Sequence, residues 1–267
     1  MMGKRNTGQR RIWFTVLIII VSALIVFSAV MIATQLSEYS TGQKTYNRLQ
    51  QYIKSGPGTS ENPLKSVEEG QTDTVVSLPV PPIAPDFDAL GEINEDVVGW
   101  IISEGTVIDY PVVHGIDNQH YLTHVFDGTR NKLGSIFVDF RNQKGFTDKN
   151  TIIHGHHMKN GSMFASLVEY RNQEYFEQHP VMWLLTPERN YLLEIVSGYV
   201  TNGDEAYNIS FEDEEEFLEF AKTINRLSDF ESNVEIGKDD RLITFSTCTY
   251  EMSNARYVIH AKLSPAG

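Results

Sequence analysis

The sequence predicts a mainly β domain of about eight strands, behind one membrane-spanning helix and a linker. Three observations carry this. An uncharged apolar run of 22 residues lies near the N-terminus. A stretch rich in Gly, Pro, Ser, Thr and Glu follows it. The remainder is a succession of short, β-branched and aromatic runs separated by turn residues, the pattern of a closed barrel or sandwich.

The apolar run extends from Ile12 to Ala33. As a helix it rises about 33 Å at about 1.5 Å per residue, enough for a hydrocarbon core of about 30 Å. A cleaved signal peptide is the competing reading, but its apolar region runs only about 7–15 residues and ends at a small-x-small site. Here the exit is Thr34, Gln35, Leu36 and Ser37. Lys4, Arg5, Arg10 and Arg11 precede the run with no acidic residue among them, which keeps the N-terminus in the cytoplasm and places the rest outside. The expected organisation is a basic tail over 1–11, an anchor over 12–33, a stalk and linker over 34–85, and a catalytic domain over 86–267.

Within the stalk, Leu36, Tyr39, Tyr46, Leu49 and Ile53 share one helical face, either exposed or packed on the domain. Residues 56–85, with Pro79, Pro81, Pro82 and Pro85, have the composition of a tether. Strands are expected at Val97–Ile102, Thr106–Val113, Ser135–Phe140, Thr151–His154, Val181–Thr186, Tyr191–Val200, Arg241–Ser246 and Arg256–Leu263. Helices are expected near 86–94, 162–170 and 211–228. For the last, Ser210 is the expected cap, and Phe217, Phe220, Ala221, Ile224 and Leu227 form an apolar stripe.

Charge excludes one class of function. The chain has 22 Lys and Arg against 35 Asp and Glu, a net charge of −13, and four of the basic residues lie in the tail. Phosphate recognition needs a basic patch, and none occurs after residue 34, so no nucleic-acid partner is expected.

The chemistry concentrates in three segments. Thr151 to Met158 is a short apolar strand running into Gly155, which His154, His156 and His157 surround. Leu242 to Cys248 is a strand ending at the only cysteine, and Arg256 to Leu263 is a strand opening with an arginine. A lone thiol is either a small buried hydrophobe or a working group. Thiol acyl transfer needs a thiolate, a partner that takes and returns a proton, and a cation or donor set for the oxyanion. Cys248, one histidine of the cluster and Arg256 form that minimal set. The histidines could also hold zinc, but HGHH lacks the i, i+4 spacing of helical metal ligands and no second ligand cluster accompanies it, so no metal or cofactor is expected. Arg256 could instead pair with a surface carboxylate. His114, His120, His124, His179 and His260 are expected to be ordinary surface or core residues.

At these residues the sequence resembles the sortases, specifically class B. Ser246, Thr247 and Cys248, with Arg256 eight residues on, are similar to the family's Thr-Cys and downstream Arg signature. Gly155 and His156, with Met158, Asn160 to Phe164 and Leu167, are similar to its histidine segment. Asn94 to Trp100, Ile108 to Val113, Asp117 and Asn118 with Tyr121 and Leu122, and Gly134 to Asp139 also resemble class B text, and 211–228 matches its extra helix. The resemblance covers roughly 86–263. It implies an eight-stranded barrel and a transpeptidase of Gram-positive bacteria. Such an enzyme cuts a C-terminal sorting signal of a secreted surface protein after Thr, holds a thioester, and passes the acyl group to an amine of a peptidoglycan precursor. It implies His156, Cys248 and Arg256 as catalytic, Ser246 and Thr247 as groove residues, and the Thr249 N–H as part of the oxyanion hole. The residue before the glycine is often tyrosine in class B, whereas here it is His154, counted among the substrate-binding residues. A pilin-polymerising sortase, a plain cysteine hydrolase and a non-catalytic membrane-anchored binding protein remain alternatives.

Overall fold

Alternation along the late strands sets the architecture. On one strand Ile243 and Phe245 join the main core while Leu242 joins a second apolar cluster on the opposite face. On its neighbour Tyr257, Ile259, Ala261 and Leu263 point into the main core. A sheet with such a filled concave face closes on itself and leaves no open edge. The structure, a computed structural model, describes residues 7–56, 79–203, 207–249 and 254–266.

In chain order the elements are α1 (Thr7–Leu49), β1 (Ile53–Ser55), β2 (Ile83–Pro85), α2 (Phe87–Ile93), β3 (Val97–Ile102), β4 (Asp109–Val113), β5 (Ile136–Val138), β6 (Asn150–His154), α3 (Gln173–Gln178), β7 (Val181–Leu185), β8 (Asn190–Asn202), α4 (Glu214–Leu227), β9 (Leu242–Cys248) and β10 (Ala255–Ala266). Eight of the strands form a closed barrel in the order β10-β8-β7-β3-β4-β5-β6-β9. The pairs β4–β5 and β6–β9 are parallel, and the others antiparallel. The eight-stranded barrel expectation therefore holds.

Boundaries shift for local reasons. Expected strand 106–113 begins only at Asp109, because the Thr106 hydroxyl donates to Ser103 O and accepts from Ile108 N, closing a turn. Strands β8 and β10 outrun their expected ends because they pair from Ala255↔Asn202 to Ala266↔Asn190. The expected helix at 162–170 is a 3-10 segment, Ala165–Arg171. Asp213, not Ser210, caps α4, accepting from Glu216 N at 2.9 Å. Glu214, Glu215 and Glu216 in its first turn suit the positive end of the helix. Phe217, Ala221 and Ile224 are buried, whereas Leu227 at the end of the stripe is exposed.

Helix α4 lies over the outer face of β8, β9 and β10, and a polar network is sealed near it. Thr244 donates to Asn150 Oδ1 at 2.8 Å and accepts from His260 Nδ1 at 2.9 Å. His260 Nε2 meets the Tyr199 hydroxyl at 3.2 Å. Burial pushes the His260 imidazole down to about 3, so it is a neutral core histidine.

The N-terminal helix carries a candidate membrane span and then docks on the barrel. Its Ile12–Val30 hydrophobics are exposed, and the helix is long and apolar enough to cross a membrane. The same helix continues onto the barrel. Tyr46 and Leu49 are 3% exposed within the core. Tyr46 stacks edge-on against Tyr110 at 5.2 Å and donates to Gly134 O. Glu38 binds Lys132 at 2.7 Å and its carbonyl accepts from Asn131. Strand β1 then pairs with β2. Of the two readings of the stalk face, packing is the one observed, and the packed body begins well before Asp86. Most of the expected tether, 57–78, lies outside the described residues.

This docking has a measurable weight. Burying Tyr46 and Leu49 is worth about 3 kcal/mol or more together. A protein starting at residue 79 is predicted to melt roughly 6–12 °C below one starting at residue 34. Equal midpoints in calorimetry would show that the docked helix adds nothing to the barrel.

Candidate active site

The register of β9 brings the chemistry together. Cys248 lies directly opposite Arg256 on β10, and Ser246 directly opposite His154 on β6. Ser246 and Cys248 share the outer face, since successive side chains alternate and Phe245 fills the core. The two are separated by about 6.6 Å along the strand. Arg256 is paired on its other side with Thr201 of β8, and its Nη1 donates to Ala255 O at 3.0 Å. The thiol and the guanidinium thus stand on one row at the end of two rigid strands.

The histidine enters from the turn after β6. Gly155 N donates to Ser246 O, and Thr247 Oγ1 donates to Gly155 O at 2.9 Å, so this turn is tied to β9 from both sides. Only glycine fits there: a Cβ would stand 2.5 Å from the Phe164 ring and 2.6 Å from Ile136. His156 Nε2 lies 2.7 Å from Leu122 O. A carbonyl only accepts, so Nε2 carries a hydrogen, and in the neutral ring the lone pair is on Nδ1. Gly134, at φ 58°, lets the chain pass beside that ring.

The other two histidines have separate partners. His157 Nδ1 meets Cys248 O at 2.9 Å and braces the backbone at the end of β9. His154 Nε2 meets Asp139 Oδ2 at 3.0 Å. Asp139 is 1% exposed and also accepts from Asn118 Nδ2 and from Arg141 Nε and Nη2. Burial opposes its ionisation, but the hydrogen bonds from His154 and Arg141 prevail and hold its carboxyl well below the usual carboxylate range. Among the described residues, no group of three His, Cys, Asp or Glu side chains could hold a metal ion.

A cleft of about 180 Å³ opens over these groups. Its walls include Cys248, Arg256, His156, His154, Ser246 and Thr247, together with Asn118, Leu122, Phe137 and Tyr207. A more open hollow of about 930 Å³, beside α3 and the end of α4, shares no residue with it and has no cysteine or histidine in its lining. Of the residues expected from sequence, the cleft gathers all but Thr249. That expectation needs correction. The Thr249 N–H donates to Ala255 O at 3.1 Å in the hairpin, so it is not free to receive an oxyanion. Thr247 borders the cleft, but its hydroxyl is committed to Gly155.

Sequence reasoning gave no role to Asp139, Leu122 or Tyr207. The Tyr207 hydroxyl is 2.8 Å from Ser246 Oγ, and its ring stands edge-on to His154 at 5.2 Å. The one available signal was Asp139, a carboxylate at the end of an apolar strand with an arginine two residues on.

Comparisons with known proteins identify the family. The Sortase domain family model matches residues 102–264. Sortase B of Listeria monocytogenes is 40% identical over 177 residues, covering 65% of this chain and 72% of that protein. Among solved structures, the Staphylococcus aureus sortase B–substrate complex is 34% identical with a TM-score of 0.65, covering 68% of this chain and 85% of its own. Sortase B from Bacillus anthracis in complex with AAEK1 is 30% identical with a TM-score of 0.71, covering 86% of this chain and 99% of its own. With the barrel, the cleft and the matched sequence in agreement, the chain belongs to the sortase family of cysteine transpeptidases, in its class B branch.

Proposed function

We propose that Cys248, His156 and Arg256 carry out acyl transfer from the sorting signal of a secreted surface protein to an amine of a cell-wall precursor. The observation that carries this is the cross-strand pairing of Cys248 with Arg256, with His156 in the same cleft and its Nδ1 unprotonated when neutral.

In the first half-reaction the Cys248 thiolate attacks the carbonyl carbon of the bond that follows a threonine. The carbonyl π electrons move to oxygen, and Arg256, cationic at every relevant pH, stabilises the oxyanion. His156, protonated, gives its proton to the departing amine as the C–N bond breaks, leaving a thioester. In the second half-reaction an amine attacks the thioester and forms the new C–N bond, neutral His156 takes the surplus proton, the C–S bond breaks, and the thiolate and protonated His156 return. Asn118, Ser246 and Tyr207 border the path of the peptide, with His154 beside them. The expected division into tail, anchor and extracellular catalytic barrel fits this task. The basic residues before Ile12 favour a cytoplasmic N-terminus, and the barrel then faces the secreted substrate.

Cys248→Ala is predicted to abolish cleavage of a peptide pool randomised around a fixed threonine. Because Cys248 is the only cysteine, an impermeant thiol reagent on intact cells should label the wild type and not the variant. Labelling that requires lysis would reverse the proposed orientation, and residual cleavage by Cys248→Ala would remove the thioester.

His156→Ala is predicted to lower kcat/KM by about 10²–10⁴-fold. Arg256→Lys, which keeps the charge and loses the fork, should cost about 10²–10³-fold, mainly in kcat. His157→Ala loses one backbone brace and should cost less than about tenfold. A His157→Ala loss equal to that of His156→Ala, or a near-native Arg256→Lys, would overturn these roles.

A further inference from the structure

Helix α1 reaches His156 through one side chain. Tyr46 lies on the docked end of α1, 3% exposed, and its hydroxyl donates to Gly134 O. Burial pushes this phenol far up, so it remains a neutral donor. Gly134 abuts the imidazole: a Cβ there would stand 2.9 Å from Leu122 O and 3.0 Å from His156 Cδ2. Leu122 O is the carbonyl that receives the His156 Nε2 hydrogen. The next residue clamps the same turn, since Ser135 N donates to Tyr121 O at 2.8 Å and Ser135 Oγ to His124 O at 2.9 Å.

The ring of Tyr46 opens a second path. It stacks edge-on against Tyr110 at 5.2 Å, and the Tyr110 hydroxyl accepts from Met163 N at 3.0 Å. The following residue, Phe164, donates its N–H to His156 O at 3.0 Å. One residue of α1 thus bears on His156 from two sides, on the ring through Gly134 and on the main chain through Tyr110. A group that only glued the helix down would need apolar area, which Leu49 supplies in the same core. The contacts of Thr45 with Asp127 at 3.3 Å and of Gln50 with Asp109 at 3.1 Å also hold the helix, and both end at carboxylates rather than at the support of His156.

We propose that Tyr46 is a positioning residue for His156, an inference that rests on the acyl-transfer role given to His156 above. Its hydroxyl fixes the Gly134 turn, the turn fixes the Leu122 carbonyl, and the carbonyl holds the imidazole with Nε2 protonated. The membrane-proximal helix is thereby part of the machinery that aims the proton carrier, and not only its mount. A ring released from this support samples other rotamers and the other tautomer, and each proton transfer then waits for the productive one. Both half-reactions draw on His156, so both slow together and KM for the peptide holds.

The test uses the full chain in detergent and one peptide taken from the cleaved pool. Tyr46→Phe removes the hydroxyl and keeps the ring on Tyr110. It should lower kcat about 5- to 50-fold with KM unchanged, short of the loss expected for His156→Ala. The nitrogen chemical shifts of the His156 ring, read through its carbon-bound protons at about pH 8.5 where an ordinary imidazole is neutral, report the tautomer directly. The wild type should show Nε2–H, and Tyr46→Phe a mixture of both tautomers, with the rings of His154 and His157 unmoved. Gln50→Ala, which removes a docking hydrogen bond elsewhere on the helix, should leave kcat and the His156 shifts unchanged. Should Tyr46→Phe fail to fold, Ser135→Ala cuts the same support one residue on and is read by the same two measurements. An unchanged kcat or an unchanged tautomer in the folded variant, a loss confined to KM, or an equal loss in Gln50→Ala overturns the proposal. Wild-type activity in His156→Ala overturns the acyl-transfer role of His156 instead, and the tautomer measurement then decides the support alone.

Discussion

The register of β9 between β6 and β10 is the constraint on which the cleft depends. A parallel ladder on one side sets His154 against Ser246, and an antiparallel ladder on the other sets Arg256 against Cys248. A slip of one residue on either side would turn the thiol or the guanidinium to the opposite face. Closure of the barrel prevents the slip. Each of the two ladders is part of a continuous ring, and the inward residues Phe245, Tyr257 and Ile259 lock the pitch by packing in the common core.

A second layer ties the flexible connections to that frame. Thr247 and Gly155 exchange no side chain, only a hydroxyl for a carbonyl, yet this bond fixes where His156 begins. His157 grips the Cys248 carbonyl from the same turn. On the far side, Asn150 donates to Asn208 O while Tyr207 reaches Ser246. The buried network of Asn150, Thr244, His260 and Tyr199 thereby runs from beneath α4 to the wall of the cleft. Such a sealed network has value only when every member is satisfied, and here its hydrogen bonds join end to end.

Much of this was legible in the sequence, for a physical reason. Cys248, His156 and Arg256 each follow or begin a short apolar strand, so local pattern alone placed them at strand ends. Strand count was equally local. The failures are of another kind. Whether the Thr249 N–H is free depends on how the hairpin closes on Ala255, which no local pattern states. Asp139 and Tyr207 reach His154 only because separate segments meet, His154 and its carboxylate partner standing 15 positions apart in the chain. The cap of α4 moved from Ser210 to Asp213 because both are competent cap residues, and the apolar stripe begins closer to the second. The face of Tyr39, Tyr46 and Leu49 was readable as helical, but amphipathicity does not name the surface it covers.

The unbroken run of α1 from its apolar stretch to Leu49 has a geometrical consequence. Only about 7 Å of helix separates Ala33, the last residue of the apolar stretch, from Glu38, the first to grip the barrel, at about 1.5 Å per residue. A barrel carried on a flexible thread sweeps a hemisphere whose radius grows with the thread. One carried on a stiff, docked shaft has almost no such sweep, and with the apolar stretch in a bilayer, as proposed above, its cleft would keep a constant altitude and heading above the lipid. Under that arrangement encounter would be decided by lateral diffusion in two dimensions, favouring substrates of the proposed transfer that are held at the same altitude over those free in the bulk.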